Sequence, residues 1–100
     1  MNYTHTELEV GVCQLRIQGA LDVLSVRHIH PVIDAVVASK PKRVSVHFEE
    51  LTMIDSSGVG AIISLFKRIT AAGGELAVVG AHDQPLAVLK ILKLDRVLGL

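Results

Sequence analysis

The chain has 100 residues, half of them hydrophobic and only 3% aromatic, and its ten Lys+Arg balance ten Asp+Glu. That apolar content excludes a disordered chain and implies one domain over residues 1–100 with a core of Val, Leu, Ile and Ala. Zero formal charge leaves no basic footprint for nucleic acid and no field to draw the chain to an anionic membrane.

The single cysteine, Cys13, rules out an intrachain disulfide and suits a reducing compartment. No basic-then-apolar leader and no apolar run of membrane-spanning length is present. A cytoplasmic protein is therefore expected.

Tyr3 to Val10 reads as a polar strand at a sheet edge, and Gly11 as the turn after it. Cys13, Leu15 and Ile17 alternate with Gln14, Arg16 and Gln18, the period of a strand with one buried face. Gly19 ends that strand, and Ser25 is a candidate helix N-cap. Ile29, Val32, Ile33, Val36 and Val37 recur at helical spacing. Pro31 lies among them, so either the helix kinks there or a short turn precedes a helix that starts near Pro31. Val44, Val46 and Phe48 alternate with polar residues as a third strand, and Glu49 to Thr52 are expected as a connector.

A second helix is predicted from about Ser57 to Ala72, with Val59, Ile62, Ile63, Phe66 and Ile69 as its apolar stripe and Gly73-Gly74 as its stop. Leu76 to Val79 reads as a short buried strand. Asp83 and Pro85 are expected as the cap and first turn of a third helix that buries Leu86, Leu89 and Leu92. Val97 to Leu100 is expected as a final strand. The order β-β-α-β-α-β-α-β predicts an α/β fold with a mixed, mostly parallel sheet of four or five strands flanked by helices.

The segment Met53-Ile-Asp-Ser-Ser-Gly-Val-Gly60 joins a buried strand to a helix N-terminus. That junction leaves backbone N–H groups free and carries the positive end of the helix dipole, so it accepts a phosphate at low cost. Read alone, Asp55-Ser-Ser-Gly58 is an ordinary capping sequence. One cap needs one side chain, however, and three capping residues stand in a row, with Gly58 and Gly60 keeping side chains out of the way. Other chemistry fails on spacing. Ile63 occupies the third-glycine position of a dinucleotide fingerprint, no Gly-Lys-Ser/Thr run exists, and no glycine stands two residues before either serine.

At this point the sequence resembles the STAS-domain anti-sigma factor antagonists, or anti-anti-sigma factors. Val44-Ser-Val-His-Phe-Glu-Glu-Leu-Thr-Met-Ile-Asp-Ser-Ser-Gly-Val-Gly60 is similar to that family's strand, acidic connector and Asp-Ser-Ser-Gly-x-Gly signature. Gly19-Ala-Leu-Asp22 is similar to its Gly-Glu-Leu-Asp, and Ala72-Gly-Gly-Glu-Leu76 to the approach to its fourth strand. The resemblance implies a bacterial regulator of transcription that works by partner switching. The unphosphorylated antagonist captures an anti-sigma factor and frees a sigma factor. The anti-sigma factor, a serine kinase of histidine-kinase-like ATPase fold, phosphorylates the antagonist and ends the binding, and a PP2C-type phosphatase restores it. The resemblance makes Ser56 the phosphate acceptor, with Ser57 the less favoured candidate. It also assigns Asp22, Asp55, Ser56, Ser57, Gly58 and Val59 to the partner surface, and Asp55 is expected to orient the Ser56 hydroxyl or touch the kinase. Ala20 stands where the family has Glu, and Pro31 interrupts the first helix.

No catalytic residue, cofactor or metal is implied. His28 and His30 are two apart, which points them in different directions on a helix. Cys13 is read as a core residue, Lys67-Arg68 as a solvated face and Ser57 as the cap of the second helix. Two further functions are open: a STAS accessory or docking subunit of a transporter or sensory complex, and a small serine enzyme, for which no histidine is placed by any local motif.

Overall fold

The computed structural model describes residues 1–100. The elements are β1 (Asn2–Glu9), β2 (Val12–Leu21), α1 (Val26–Ala38), β3 (Arg43–His47), β4 (Leu51–Ile54), α2 (Ser56–Ala71), β5 (Glu75–Val79) and α3 (Asp83–Ile91). All five strands belong to one mixed sheet. β1 pairs antiparallel with β2, while β2–β3, β2–β4 and β3–β5 are parallel. β3 runs beside Val12–Arg16, and β4 takes up the pairing at Gly19–Leu21.

The expected alternation in β2 holds: Cys13, Leu15 and Ile17 are buried, and the first two register against Val44 and Val46 of β3 and, beyond, Leu76 and Val78 of β5. Twenty-two buried apolar residues make one core, into which α1 sends Ile29, Val32, Ile33 and Val36 and α2 sends Val59, Ala61, Ile62, Leu65 and Ile69. Phe48 is fully buried in that core. Gly11 turns the opening hairpin at φ +80, a backbone region in which Cβ is strained. No helix is long and apolar enough to cross a membrane.

Five expectations are corrected. Gly19 does not end the second strand, which runs on to Leu21 and pairs there with β4. Leu51 to Thr52 are not connector but the first half of β4; Leu51 and Ile54 are buried, and the bulged pairing with β2 is too short to show a period of two. Val97 to Leu100 form a turn, not a strand. Leu98 is buried, its carbonyl accepts one bond from Val78 N at 2.7 Å, and Gly99 at φ +77 turns the chain away from further pairing. Asp83 does not cap α3. His82 holds the cap position, and Asp83 sits at φ +50 with its carboxylate on His82 Nδ1 at 2.6 Å. Leu92 is half exposed because α3 stops at Ile91 and its buried face is Pro85 and Leu89. α1 runs through Pro31 as one helix from Val26, so Pro31 removes one ladder donor without splitting it.

Candidate functional site

β2 and β4 are parallel and end side by side, at Leu21 and Ile54. Their carboxyl ends therefore deliver the Asp22–Ser25 loop and the Asp55–Gly58 segment to one edge of the molecule, where open α/β sheets place their sites. Asp55 joins the two. Its backbone N–H donates to Leu21 O at 3.2 Å. Its side-chain Oδ1 accepts from Gly58 N at 3.0 Å and caps α2, and Oδ2 accepts from Val23 N at 3.0 Å. Asp55, not Ser57, is thus the cap of α2, and both its carboxylate oxygens are taken by backbone amides rather than by the Ser56 hydroxyl.

Asp22 organises the neighbouring loop in the same way. Its Oδ1 accepts from Leu24 N at 3.1 Å and Ser25 N at 2.9 Å. The Ser25 amide and hydroxyl, with Leu24 N, hold the Asp22 carboxyl below its ordinary value. Ser25 stands at the start of α1 but does not cap it with its side chain. Its hydroxyl accepts from Asp22 N at 2.9 Å and lies 2.9 Å from Ala20 O and 3.0 Å from Asp22 Oδ1, either of which can take its one proton. The loop so fixed carries two apolar side chains into solvent: Val23 is 64% exposed and Leu24 77%.

Ser56 is exposed at the first position of α2, and Ser57 behind it is half-buried. The two glycines differ sharply. A Cβ at Gly58 would lie 2.4 Å from Leu21 O and 2.7 Å from Ile54 Cγ1, so Gly58 is buried and serves helix-to-strand packing. A Cβ at Gly60 would meet nothing within 4 Å. Val59 is buried in the core. Of the six residues expected at the partner surface, Ser56, Ser57, Asp22 and Asp55 come together at the strand ends, while Gly58 and Val59 lie beneath them.

Sequence reasoning missed the contribution of α3. Gln84 Oε1 accepts from Ile54 N at 2.9 Å, and its Nε2 donates to Ile54 O at 2.8 Å. The carboxamide thus pairs with the last residue of β4 as a neighbouring strand would. Nothing in a lone Gln at a helix start announces this. Val23 and Leu24 had a legible signal, an apolar pair directly after Asp22 in a loop.

A second polar cluster flanks this edge. Glu49 accepts from Arg16 Nη1 at 2.8 Å, and its Oε1 lies 2.9 Å from His47 Nδ1. Burial pushes its pKa up, but His47 and Arg16 outweigh that and leave it below the ordinary value. His82 Nε2 reaches Glu49 O at 2.7 Å. With Asp83 on its other nitrogen and that carbonyl, His82 is raised above its usual 6.5. His28 and His30 are exposed, and Arg68 pairs with Asp34 at 2.8 Å on the solvated face. Neither candidate serine is hydrogen-bonded to a histidine; His47 and His82 bond to Glu49, Ser45 and Asp83 instead. A cleft of about 570 Å³ lies at the opposite end of the domain, between β3, β5 and the last turns of α2.

The STAS domain family model matches residues 3–100. Among solved structures, the Bacillus cell fate determinant SpoIIAA in its phosphorylated form is similar to this chain at 21% identity and TM-score 0.78, over 95% of this chain and 86% of that one. An anti-sigma factor antagonist from Mycobacterium paratuberculosis matches at 20% identity and TM-score 0.82, over 96% and 82%. A sulfate transporter family protein from Wolinella succinogenes matches at 21% identity and TM-score 0.76, over 94% and 76%. The chain belongs to the STAS domain family.

Proposed function

We propose that this protein is an anti-sigma factor antagonist whose binding is switched off by phosphorylation of Ser56. The observation that carries the reading is the exposed Ser56 at the first position of α2, beside the exposed Val23–Leu24 pair that Asp55 ties to it. In the unphosphorylated state the two apolar side chains, Ser56, Ser57 and the open backbone at Gly60 form the contact surface. Asp22 and Asp55 shape that surface, and Gly58 and Val59 seat the helix under it. The partner is an anti-sigma factor that is also a serine kinase of histidine-kinase-like ATPase fold, and a PP2C-type phosphatase reverses the modification.

A phosphate on Ser56 brings roughly −1.5 to −2 charges to the rim of an apolar contact. The positive end of α2 accommodates it without unfolding the domain. Bulk, like charge from Asp55 and the desolvation of a dianion all oppose the partner's return. The relative SpoIIAA is known in phosphorylated and unphosphorylated forms, which supports a phosphorylation switch on this fold. Incubating the protein with an anti-sigma kinase and Mg-ATP, followed by peptide mass spectrometry, tests the reading. Phosphate on Ser56 is expected; phosphate on Ser57 alone, or none, overturns it.

The likeness to a sulfate transporter family protein favours a second reading, a docking subunit held without phosphorylation. Stable co-purification with a transporter or sensory complex, unchanged in Ser56→Ala and Ser56→Asp, would select it.

A further inference from the structure

Ser45 and His47 lie on the half-buried face of β3, turned away from the core, and the parallel register sets Gln14 beside Ser45 and Arg16 beside His47. The His47 ring stands between two oxygens. Its Nδ1 is 2.9 Å from Glu49 Oε1, and its Nε2 is 3.2 Å from Ser45 Oγ. A carboxylate only accepts, so Nδ1 carries the proton of the neutral ring and Nε2 turns a lone pair toward the serine. The Ser45 hydroxyl donates to that lone pair. Arg16 Nη1 holds Glu49 Oε2 at 2.8 Å and so fixes the carboxylate against the ring.

Of the six serines in the chain, Ser45 alone is bonded to a histidine. The Ser39 hydroxyl, by contrast, donates to Val36 O at 2.7 Å. The His47 side chain is 19% exposed, so its ring is held in place while one side stays open. Serine, histidine and carboxylate in one hydrogen-bonded series is the arrangement that activates a serine. It is recognised by geometry rather than by order along the chain.

We propose that Ser45 is a nucleophile that takes the acyl group of small activated esters, with His47 as its base and Glu49 positioning His47. Ser45 has Gln14 on one side and the small Ala77 of β5 on the other. The C-terminal turn stands beside Ala77, where a Cβ on Gly99 would lie 3.2 Å from Ala77 Cβ. The room next to the hydroxyl is therefore that of a short acyl chain. The Gln14 amide is the donor placed to meet the oxyanion. One such donor suits aryl esters and thioesters, whose leaving groups depart readily, rather than amides.

The Ser45 oxygen adds to the carbonyl carbon as its proton passes to His47 Nε2. The adduct then breaks its bond to the leaving oxygen or sulfur, which takes that proton from His47 and departs as the alcohol or thiol. Water, losing a proton to the same nitrogen, adds to the acyl-serine. The acid leaves and the proton returns to Ser45. The proposal does not rest on the Ser56 reading.

Turnover of p-nitrophenyl acetate by the full chain tests the proposal, read as p-nitrophenol release and by peptide mass spectrometry of the quenched protein. A stoichiometric burst is expected, with the acetyl group on Ser45. Ser45→Ala and His47→Gln should keep the circular dichroism of the parent and lower the acylation rate at least about 100-fold. Glu49→Gln should lower kcat by more than about tenfold with KM unchanged, the mark of a residue that positions the base. Any imidazole can attack this ester, so His28→Gln, at an exposed histidine outside the series, is the control and should change nothing. Acetyl on lysine or histidine with none on Ser45 overturns the proposal. So does a folded Ser45→Ala that turns the ester over at the parent rate.

Discussion

Asp55 Oδ2 accepts the backbone N–H of Val23 at 3.0 Å, across 32 positions of sequence. The same carboxylate caps α2 through Gly58 N at 3.0 Å. One side chain therefore sets both the start of the helix that bears Ser56 and the shape of the loop that bears Val23 and Leu24. Asp55→Ala should cost about 1–2 kcal/mol in urea unfolding, as helix caps do. It should also speed hydrogen exchange at Val23. Asp55→Asn keeps only one oxygen acceptor, so it should retain part of the stability and protect one of the two amides.

Gly58 and Gly60 differ by two positions and should behave oppositely. Gly58→Ala drives a methyl against Leu21 O, a backbone atom that can move only with β2. It should destabilise by roughly 1–3 kcal/mol. Gly60→Ala enters open space and should stabilise α2 by about 0.5–1 kcal/mol. Thermal unfolding of the two variants separates a packing glycine from a surface one. On the proposed interface, Gly60→Trp should leave folding intact and weaken partner binding.

Gln84 completes the outer edge of β4. In Gln84→Ala, the N–H and C=O of the buried Ile54 lose their partner. A cost of about 1–3 kcal/mol is expected. Amide exchange at Ile54 should accelerate more than at core positions of β3.

The His82 pair has a definite pH sign. Asp83 and the Glu49 carbonyl raise the folded pKa above 6.5. The stabilisation is therefore fully present below the unfolded value and is lost as pH rises through the folded one. His82 is exposed, so the effect on global stability is small. NMR titration should give His82 a midpoint above 6.5, and Asp83→Asn should lower it. An unchanged midpoint in that variant would contradict the assignment.

Most of the fold is legible in residue periodicity. The alternation of Cys13, Leu15 and Ile17 and the spacing of Ile29, Val32, Ile33 and Val36 each report one buried face. β4 was hidden because four residues with a bulged pairing cannot show a period of two. The C-terminal turn resembles a strand in composition because Leu98 is buried, and only Gly99 hints that pairing stops after one bond. At the site, the Asp-Ser-Ser-Gly run and Asp22 are readable. Which residue caps the helix was not, since Asp and Ser are equally good caps and the choice rests on where Asp55 sits relative to Val23. The Gln84 clamp depends on α3 folding back onto β4, a long-range placement that no local pattern encodes.

The central claim is that one serine controls association. The direct measurement is the affinity of an anti-sigma kinase for the unmodified protein and for protein phosphorylated stoichiometrically at Ser56, by isothermal titration calorimetry. The account predicts a loss of about 100-fold or more on phosphorylation, equivalent to about 2.7 kcal/mol. Ser56→Ala should bind as the unmodified protein does. Equal affinity of the two forms, with circular dichroism showing both folded, would contradict it.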